Sequence, residues 1–167
     1  MAISTEAIRT LRERTGAGIM DCKKALEQAG DDMEKAGDLL RMWGLAIVAK
    51  KALRTAHEGV VAAYVHAGGR IGALVELNCE TDFVARTPEF QNLAHELCLQ
   101  VAAMAPQIVE DERALDDLDS TQGEPRLLFQ PFIKDPARSV RDVISDVVAR
   151  VGENIQVKRF VRFEVGI

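Results

Sequence analysis

Residues 78–86 read NCETDFVAR. They follow IGALVEL at 71–77, where Ile71, Ala73, Val75 and Leu77 alternate onto one side, the period of a half-buried strand. They precede Thr87 and Pro88, a cap followed by a proline of the kind that opens helices. Phe90, Leu93, Leu97, Val101 and Met104 then recur at helical spacing, so a helix over about 88–104 is predicted to lay its apolar stripe on the sheet. A strand handed directly to the helix that covers it sets the class as α+β. The odd residue is Phe83. Connecting loops lie at the surface and are mostly polar. An aromatic ring between Asp82 and Val84 therefore either folds back onto the core or is offered to a partner.

Upstream of the strand, EGVVAAYV at 58–65 is a second β-type run, and HAGGR at 66–70 between the two predicts a hairpin. The first 45 residues predict three short helices. Ser4 or Thr5 caps one carrying Ile8 and Leu11, and TGAG at 15–18 breaks it. Ile19, Cys22, Ala25, Leu26 and Ala29 define a second, ended by Gly30. Asp31 and Glu34, at capping-box spacing, open a third that Trp43 and Gly44 close. LAIVAKKAL at 45–53 continues as a helical link. The expected division is a three-helix module at 1–45, a linker at 46–56 and an α+β core at 57–167. Within the module, the turn at Gly16 to Gly18 presents Ile19 and Met20 in succession. Two large apolar neighbours at a helix start cannot both face the core, so one is expected inside and one outside.

The C-terminal part reads less regularly. Residues 106–125 hold six acids at 110–119 and then a Thr-Gln-Gly-Glu-Pro run, predicting a solvated acidic loop. LLFQPFI at 127–133, interrupted by Pro131, fits an edge element. Ser139 caps a last helix with Val140, Val143, Ile144, Val147 and Val151 inward. Residues 155–165 read as a terminal strand, basic on one side through Lys158, Arg159 and Arg162.

Composition narrows the function classes. The chain has 167 residues, 47% hydrophobic and 28% charged, with a net charge of −5. The balance disfavours nucleic acid as the main partner, since phosphate contacts need clustered Lys and Arg. It is uneven: residues 1–55 carry ten basic and eight acidic side chains, and the rest eleven and eighteen. A weakly basic module on an acidic body suits protein–protein contact. No run approaches the ~20 apolar residues needed to span a membrane, and the N-terminus has no apolar signal segment, which points to the cytoplasm or an organelle interior. Cys22, Cys79 and Cys98 are odd in number and show no CxxC spacing, so neither a disulfide framework nor a zinc site is expected. His57, His66 and His95 have no metal-helix spacing, and no P-loop, GxSxG or GxGxxG occurs. A Cys79–His66 nucleophile is weighed against a small residue ending a strand, and the second reading is preferred. No cofactor, no metal and no enzymatic activity are expected.

Four stretches together resemble one family. TDFVA at 81–85, LRERTGAGIMDCKK at 11–24, EGVVAAYVHAGGRIGALVELNCE at 58–80 and VGENIQVKRFVRFEVG at 151–166 are similar, in order, to bacterial elongation factor Ts. The resemblance implies a ubiquitin-associated-like N-terminal module and a helix-covered antiparallel sheet. It implies a guanine-nucleotide exchange factor that binds elongation factor Tu and promotes GDP release. Thr81, Asp82, Phe83 and Val84 would form the motif that disturbs the Mg2+ side of the partner's pocket. Leu11, Arg12, Ile19 and Met20 would meet its GTP-binding domain, and His66 is a further candidate contact. The chain departs from the longer family members in carrying one core copy rather than two, and the interval 104–130 is short for the helical hairpin they insert. Two subunits are expected to stand in for two copies, as a non-covalent homodimer, because Val161 occupies the place where some short forms have a linking cysteine. The alternative is an adaptor built on the same module, without exchange activity.

Overall fold

A computed structural model describes residues 3–109 and 125–167, and in it the hairpin forms as its sequence predicts. Strand β1 (Glu58–Val65) pairs antiparallel with β2 (Ile71–Cys79), and β2 pairs on its other edge with β5 (Gln156–Glu164), giving the order β1-β2-β5. Ala73, Val75, Leu77 and Cys79 alternate inward from β2 and are all buried. Helix α5 (Pro88–Met104) covers them with Phe90, Leu93, Leu97 and Val101, and Thr87 caps it by accepting the Phe90 N–H at 3.3 Å. Helix α6 (Val140–Val151) completes this core with Val140, Val143, Ile144, Val147 and Val148, behind a Ser139–Asp142 capping box. The two hydrogen bonds from Ser139 to the Asp142 carboxylate hold its pKa below the ordinary carboxylate value.

The LLFQPFI segment is an edge element, as expected, but it has a partner the sequence does not advertise. A 3-10 turn (Leu127–Phe129) leads into β3 (Pro131–Phe132), which pairs with β4 (Asp135–Ser139). The Gln100 side chain, wholly buried, pins the segment from α5. Its amide nitrogen donates to the Pro131 carbonyl at 3.1 Å and its oxygen accepts the Ile133 N–H at 2.9 Å. The acidic stretch between falls largely at 110–124, outside the described residues.

The N-terminal module has its own small core. Helices α1 (Thr5–Thr15), α2 (Ile19–Ala29) and α3 (Met33–Lys51) close around Leu11, Cys22, Ala25, Leu26 and Ala36. Two details differ from the sequence reading. The cap of α3 is Asp32, which accepts from the Glu34 and Lys35 N–H groups, while Asp31 takes a left-handed conformation just outside the helix. The helix also does not stop at Trp43 and Gly44 but runs on to Lys51. Gly44 lies inside it, where α3 crosses α6: a Cβ there would meet the Ala149 Cβ at an ordinary contact distance of 3.7 Å. Val48 then packs on the body's core, so α3 belongs to both parts. Its end is tied down by polar contacts. Lys51 Nζ donates to the Gly152 carbonyl, and Asn154 Nδ2 donates to the Arg54 carbonyl at 2.7 Å. Among the described residues no helix is long and apolar enough to cross a membrane.

One position in the sheet tolerates no side chain. Gly59 has φ near +151°, and a Cβ on it would lie 2.1 Å from the Leu77 carbonyl oxygen. We expect Gly59→Ala to lower stability by about 2–4 kcal/mol, through strain and a displaced β1–β2 pairing. Urea denaturation measures this, and an unshifted midpoint would mean that β1 can pair otherwise.

Candidate interaction surface

At the end of β2 the inward alternation stops at Cys79 and the chain turns. Residues 82–85 form one helical turn, α4 (Asp82–Ala85), between the strand and α5. Thr81 begins it in an extended conformation, its hydroxyl accepting the Val84 N–H at 3.4 Å. The turn closes on Thr87, whose hydroxyl donates to the Val84 carbonyl at 2.8 Å, and on Gln91, which donates to the Ala85 carbonyl at 2.6 Å. Val84 and Ala85 are buried in the body's core, whereas Phe83 between Asp82 and Val84 is 80% exposed. Of the two readings of this ring left open by the sequence, the outward one holds. The helical turn separates the ring from its apolar neighbours, because successive residues on a helix point about 100° apart.

Asp82 does not cap the loop. It pairs with Arg86 one turn on, at 2.8 Å on the surface, and the capping oxygen belongs to Thr81. Thr81 is itself held from across the fold. The Glu153 carboxylate accepts the Glu80 N–H at 3.1 Å, the Thr81 N–H at 3.0 Å and the Thr81 hydroxyl at 2.6 Å. Nothing local in the sequence marks Glu153 for this task. It lies 72 positions from Thr81, within the block 151–166 whose resemblance was noted only as a whole.

On the module, Ile19 and Met20 are both exposed, at 55% and 72%. The expectation that one would be core fails because α2 starts at Ile19: the first turn projects beyond the small core, which Cys22, Ala25 and Leu26 fill. Arg12 is exposed nearby on α1 and has no ion-pair partner among the described residues. Leu11 is different. At 1% exposure it is sealed in the module's core, so it shapes this surface without presenting a side chain to it.

A cleft of about 620 Å³ lies between the end of α1 and the body. Glu13, Arg14 and Gly16 at the end of α1 line it with Val84, Thr87 and Glu89 of the body and with Arg150 of α6. Gly16 ends α1 with φ +69°, and a Cβ on it would lie 3.0 Å from Arg150 Nε. The turn that leads to Ile19 and Met20 therefore sits directly against the body beside the Phe83 loop. His66 is not part of this group. It lies in the β1–β2 turn, at the opposite end of β2, roughly 25–30 Å away by the rise of the strand. There it is exposed, 2.9 Å from the Tyr64 hydroxyl.

Groups for nucleophilic chemistry are not assembled here. Cys79 is buried, its thiol pushed up to about 11 by desolvation and then by the nearby Glu153 charge, and it donates to the Thr81 carbonyl at 3.1 Å. It stays a protonated thiol at neutral pH. His66, on the far turn, does not pair with it. What the surface offers instead is apolar side chains, Phe83, Ile19 and Met20, with the exposed Arg12 guanidinium near the last two.

Comparison with known proteins gives one answer. Residues 23–119 match the family model for elongation factor TS. The chain is 48% identical to elongation factor Ts of Thermoanaerobacter sp. (strain X514), covering 98% of this chain and 95% of that protein. It is 47% identical to that of Carboxydothermus hydrogenoformans, over 98% and 89% of the two chains. With the protein from Thermotoga petrophila it shares 46%, over 99% and 98%. Each alignment runs to 194 positions against the 167 residues here, so these relatives carry residues with no counterpart in this chain.

If the exposed ring is as separate from the core as this geometry places it, Phe83→Ala should leave unfolding free energy within about 0.5 kcal/mol of the parent. Val84→Ala, one residue on, should cost about 1–3 kcal/mol. Thermal or urea unfolding of the two variants checks this, and a destabilised Phe83→Ala would place the ring in the core.

Proposed function

The chain belongs to the elongation factor Ts family of translation elongation factors, and from that premise we propose that it is a guanine-nucleotide exchange factor for elongation factor Tu. The observation that carries the reading is the exposed Phe83 on a loop anchored by Val84 and Ala85, beside the module that exposes Ile19 and Met20. The module docks on the partner's GTP-binding domain through Ile19, Met20 and Arg12. The Thr81–Val84 motif then reaches the Mg2+ side of the GDP pocket, with Phe83 as the wedge.

The physical logic is linkage. A protein that binds the nucleotide-free state more tightly than the GDP-bound state must weaken GDP by the same factor. Displacing Mg2+ leaves the phosphate charge poorly compensated, and GDP leaves faster. A wedge must not yield when pressed, and here the two residues that follow the ring, Val84 and Ala85, are core residues. No covalent bond is made or broken, so the protein is not an enzyme in that sense and needs no cofactor or metal of its own. Its place of action is the compartment of translation, the cytoplasm.

The reading extends to assembly. The outer face of the sheet carries Val61, Val65, Leu74, Val161 and Phe163, all exposed. In register, Leu74 stands opposite Val161 and Gly72 opposite Phe163, so these residues are cross-strand neighbours. A contiguous apolar sheet face of this kind is unusual on a monomer. A second copy with the same face would cover it, giving a non-covalent homodimer.

Stopped-flow release of a fluorescent GDP from elongation factor Tu tests the function. The chain should accelerate release, and Phe83→Ala should lower the accelerated rate by about tenfold or more, the loss of ~1.4 kcal/mol of coupling. Met20→Ala should raise the concentration needed for half-maximal effect by roughly three- to tenfold, from lost apolar burial. No acceleration by the parent chain would leave the adaptor reading in its place. For assembly, light scattering at tens of micromolar (a range that populates a dimer of about micromolar affinity) should give twice the chain mass, and Phe163→Glu should give the monomer. A monomeric parent would overturn the dimer.

A further inference from the structure

A carboxylate that accepts from neutral donors stands behind the Phe83 loop. Glu153 is half-buried at the turn between α6 and β5 and has no ion-pair partner among the described residues. Its two oxygens are given to three neutral donors of two consecutive residues: the Glu80 N–H at 3.1 Å, the Thr81 N–H at 3.0 Å and the Thr81 hydroxyl at 2.6 Å. Hydrogen bonds to a charged acceptor are the stronger kind. Three converging on one residue pair fix both the backbone at the end of β2 and the rotamer of Thr81.

That rotamer has a consequence. With its hydrogen directed at Glu153, the Thr81 hydroxyl has its lone pairs free, and it accepts the Val84 N–H that starts the helical turn. The chain of contacts therefore runs from Glu153 through Thr81 to Val84, and Phe83 is the exposed residue enclosed by it. The neighbouring residue secures the same turn to the rest of the fold. Asn154 is buried, donates its backbone N–H to Glu80 at 2.7 Å, and donates its side-chain amide to the Arg54 carbonyl at 2.7 Å, beyond the end of α3. The turn at 152–154 thus grips the start of the Phe83 loop with one side chain and the chain leaving the N-terminal module with the next.

We infer that Glu153 is a positioning residue for the exchange motif, acting on Phe83 through Thr81, an inference that rests on the exchange reading above. It touches no partner atom itself. Its removal leaves the docking surface of Ile19 and Met20 in place and lets the wedge swing.

The test uses the full chain with Glu153→Gln, which keeps the size but not the charge and the second acceptor, and with Glu153→Ala. Amide hydrogen exchange of Val84 in the free protein, by NMR, should quicken by about tenfold in Glu153→Gln, as expected for loss of a charged acceptor. The maximal GDP-release rate should fall by about tenfold, while the half-maximal concentration stays within about twofold. In the Phe83→Ala background Glu153→Gln should add less than about twofold, because the two substitutions remove one action. Additive losses, or a half-maximal concentration that rises in step with the fall in rate, would show that Glu153 only supports the fold and would overturn the inference. So would unchanged Val84 protection. If Phe83→Ala proves silent in GDP release, the exchange reading falls, and Val84 protection in Glu153→Gln alone then decides whether Glu153 positions the loop.

Discussion

Strand β2 is hydrogen-bonded along both edges and buries Ala73, Val75, Leu77 and Cys79 beneath α5. Because side chains alternate with a period of two, that burial fixes the register of the whole sheet: a slip of one residue would turn four core residues to solvent. It also fixes where the alternation must end. Cys79 is the last inward residue, and α5 begins at Pro88, so residues 80–87 have to turn the chain back over the sheet. A helical turn does this in little space. It buries Val84 and Ala85 and leaves one residue outward, and that residue is Phe83. The exposed ring is thus a by-product of how strand and helix are joined, held by whatever holds β2.

The molecule has two cores of unequal size. The module closes around five fully buried residues, and three short helices burying so little are marginal alone. The remedy is a continuous α3. Its first half belongs to the module, its second half packs Val48 against the body, and its end is fastened by Lys51 to Gly152 and by Asn154 beyond it. A flexible joint at Gly44 would have left the module free to wander. With an unbroken helix, the position of Ile19 and Met20 relative to Phe83 is set by the fold.

Much of this was legible in the sequence, for local reasons. The hairpin, the β2 alternation, and the start of α5 at Thr87 and Pro88 all rest on short-range patterns, and so does the Ser139 cap of α6. The misreadings share a cause as well. Gly44 looks like a stop, yet the helix passes through it and carries Val48 onto the body's core, a contact no local pattern announces. DPARS at 135–139 has no β-type pattern, and it is a strand because β3 lies beside it and Gln100 anchors β3 from α5. Thr81 and Asp82 are both capping residue types, and only the folded geometry picks Thr81. Glu153 had no local signal at all, since its partners are 72 and 73 positions away. For the surface, residue type and resemblance drew attention to the Phe83 loop and to the turn before Ile19, and the side chains singled out there, Phe83, Ile19 and Met20, are exposed. They could not separate Leu11, which is interior, from Arg12 beside it, because that depends on where the small core closes.

The buried thiols have a practical side. Burial pushes Cys79 and Cys98 up to about 11 and raises Cys22 as well, and none of the three is at the surface. At neutral pH a thiol near 11 is ionised to about one part in ten thousand, and the thiolate is the species that reacts with alkylating reagents. A cysteine introduced on the outside, on the exposed face of α1 for instance, would have an ordinary pKa and open access. It could carry a fluorophore or a spin label selectively while the three native cysteines stay in place, so the motion of the module could be followed in a protein whose core has not been rebuilt for the purpose.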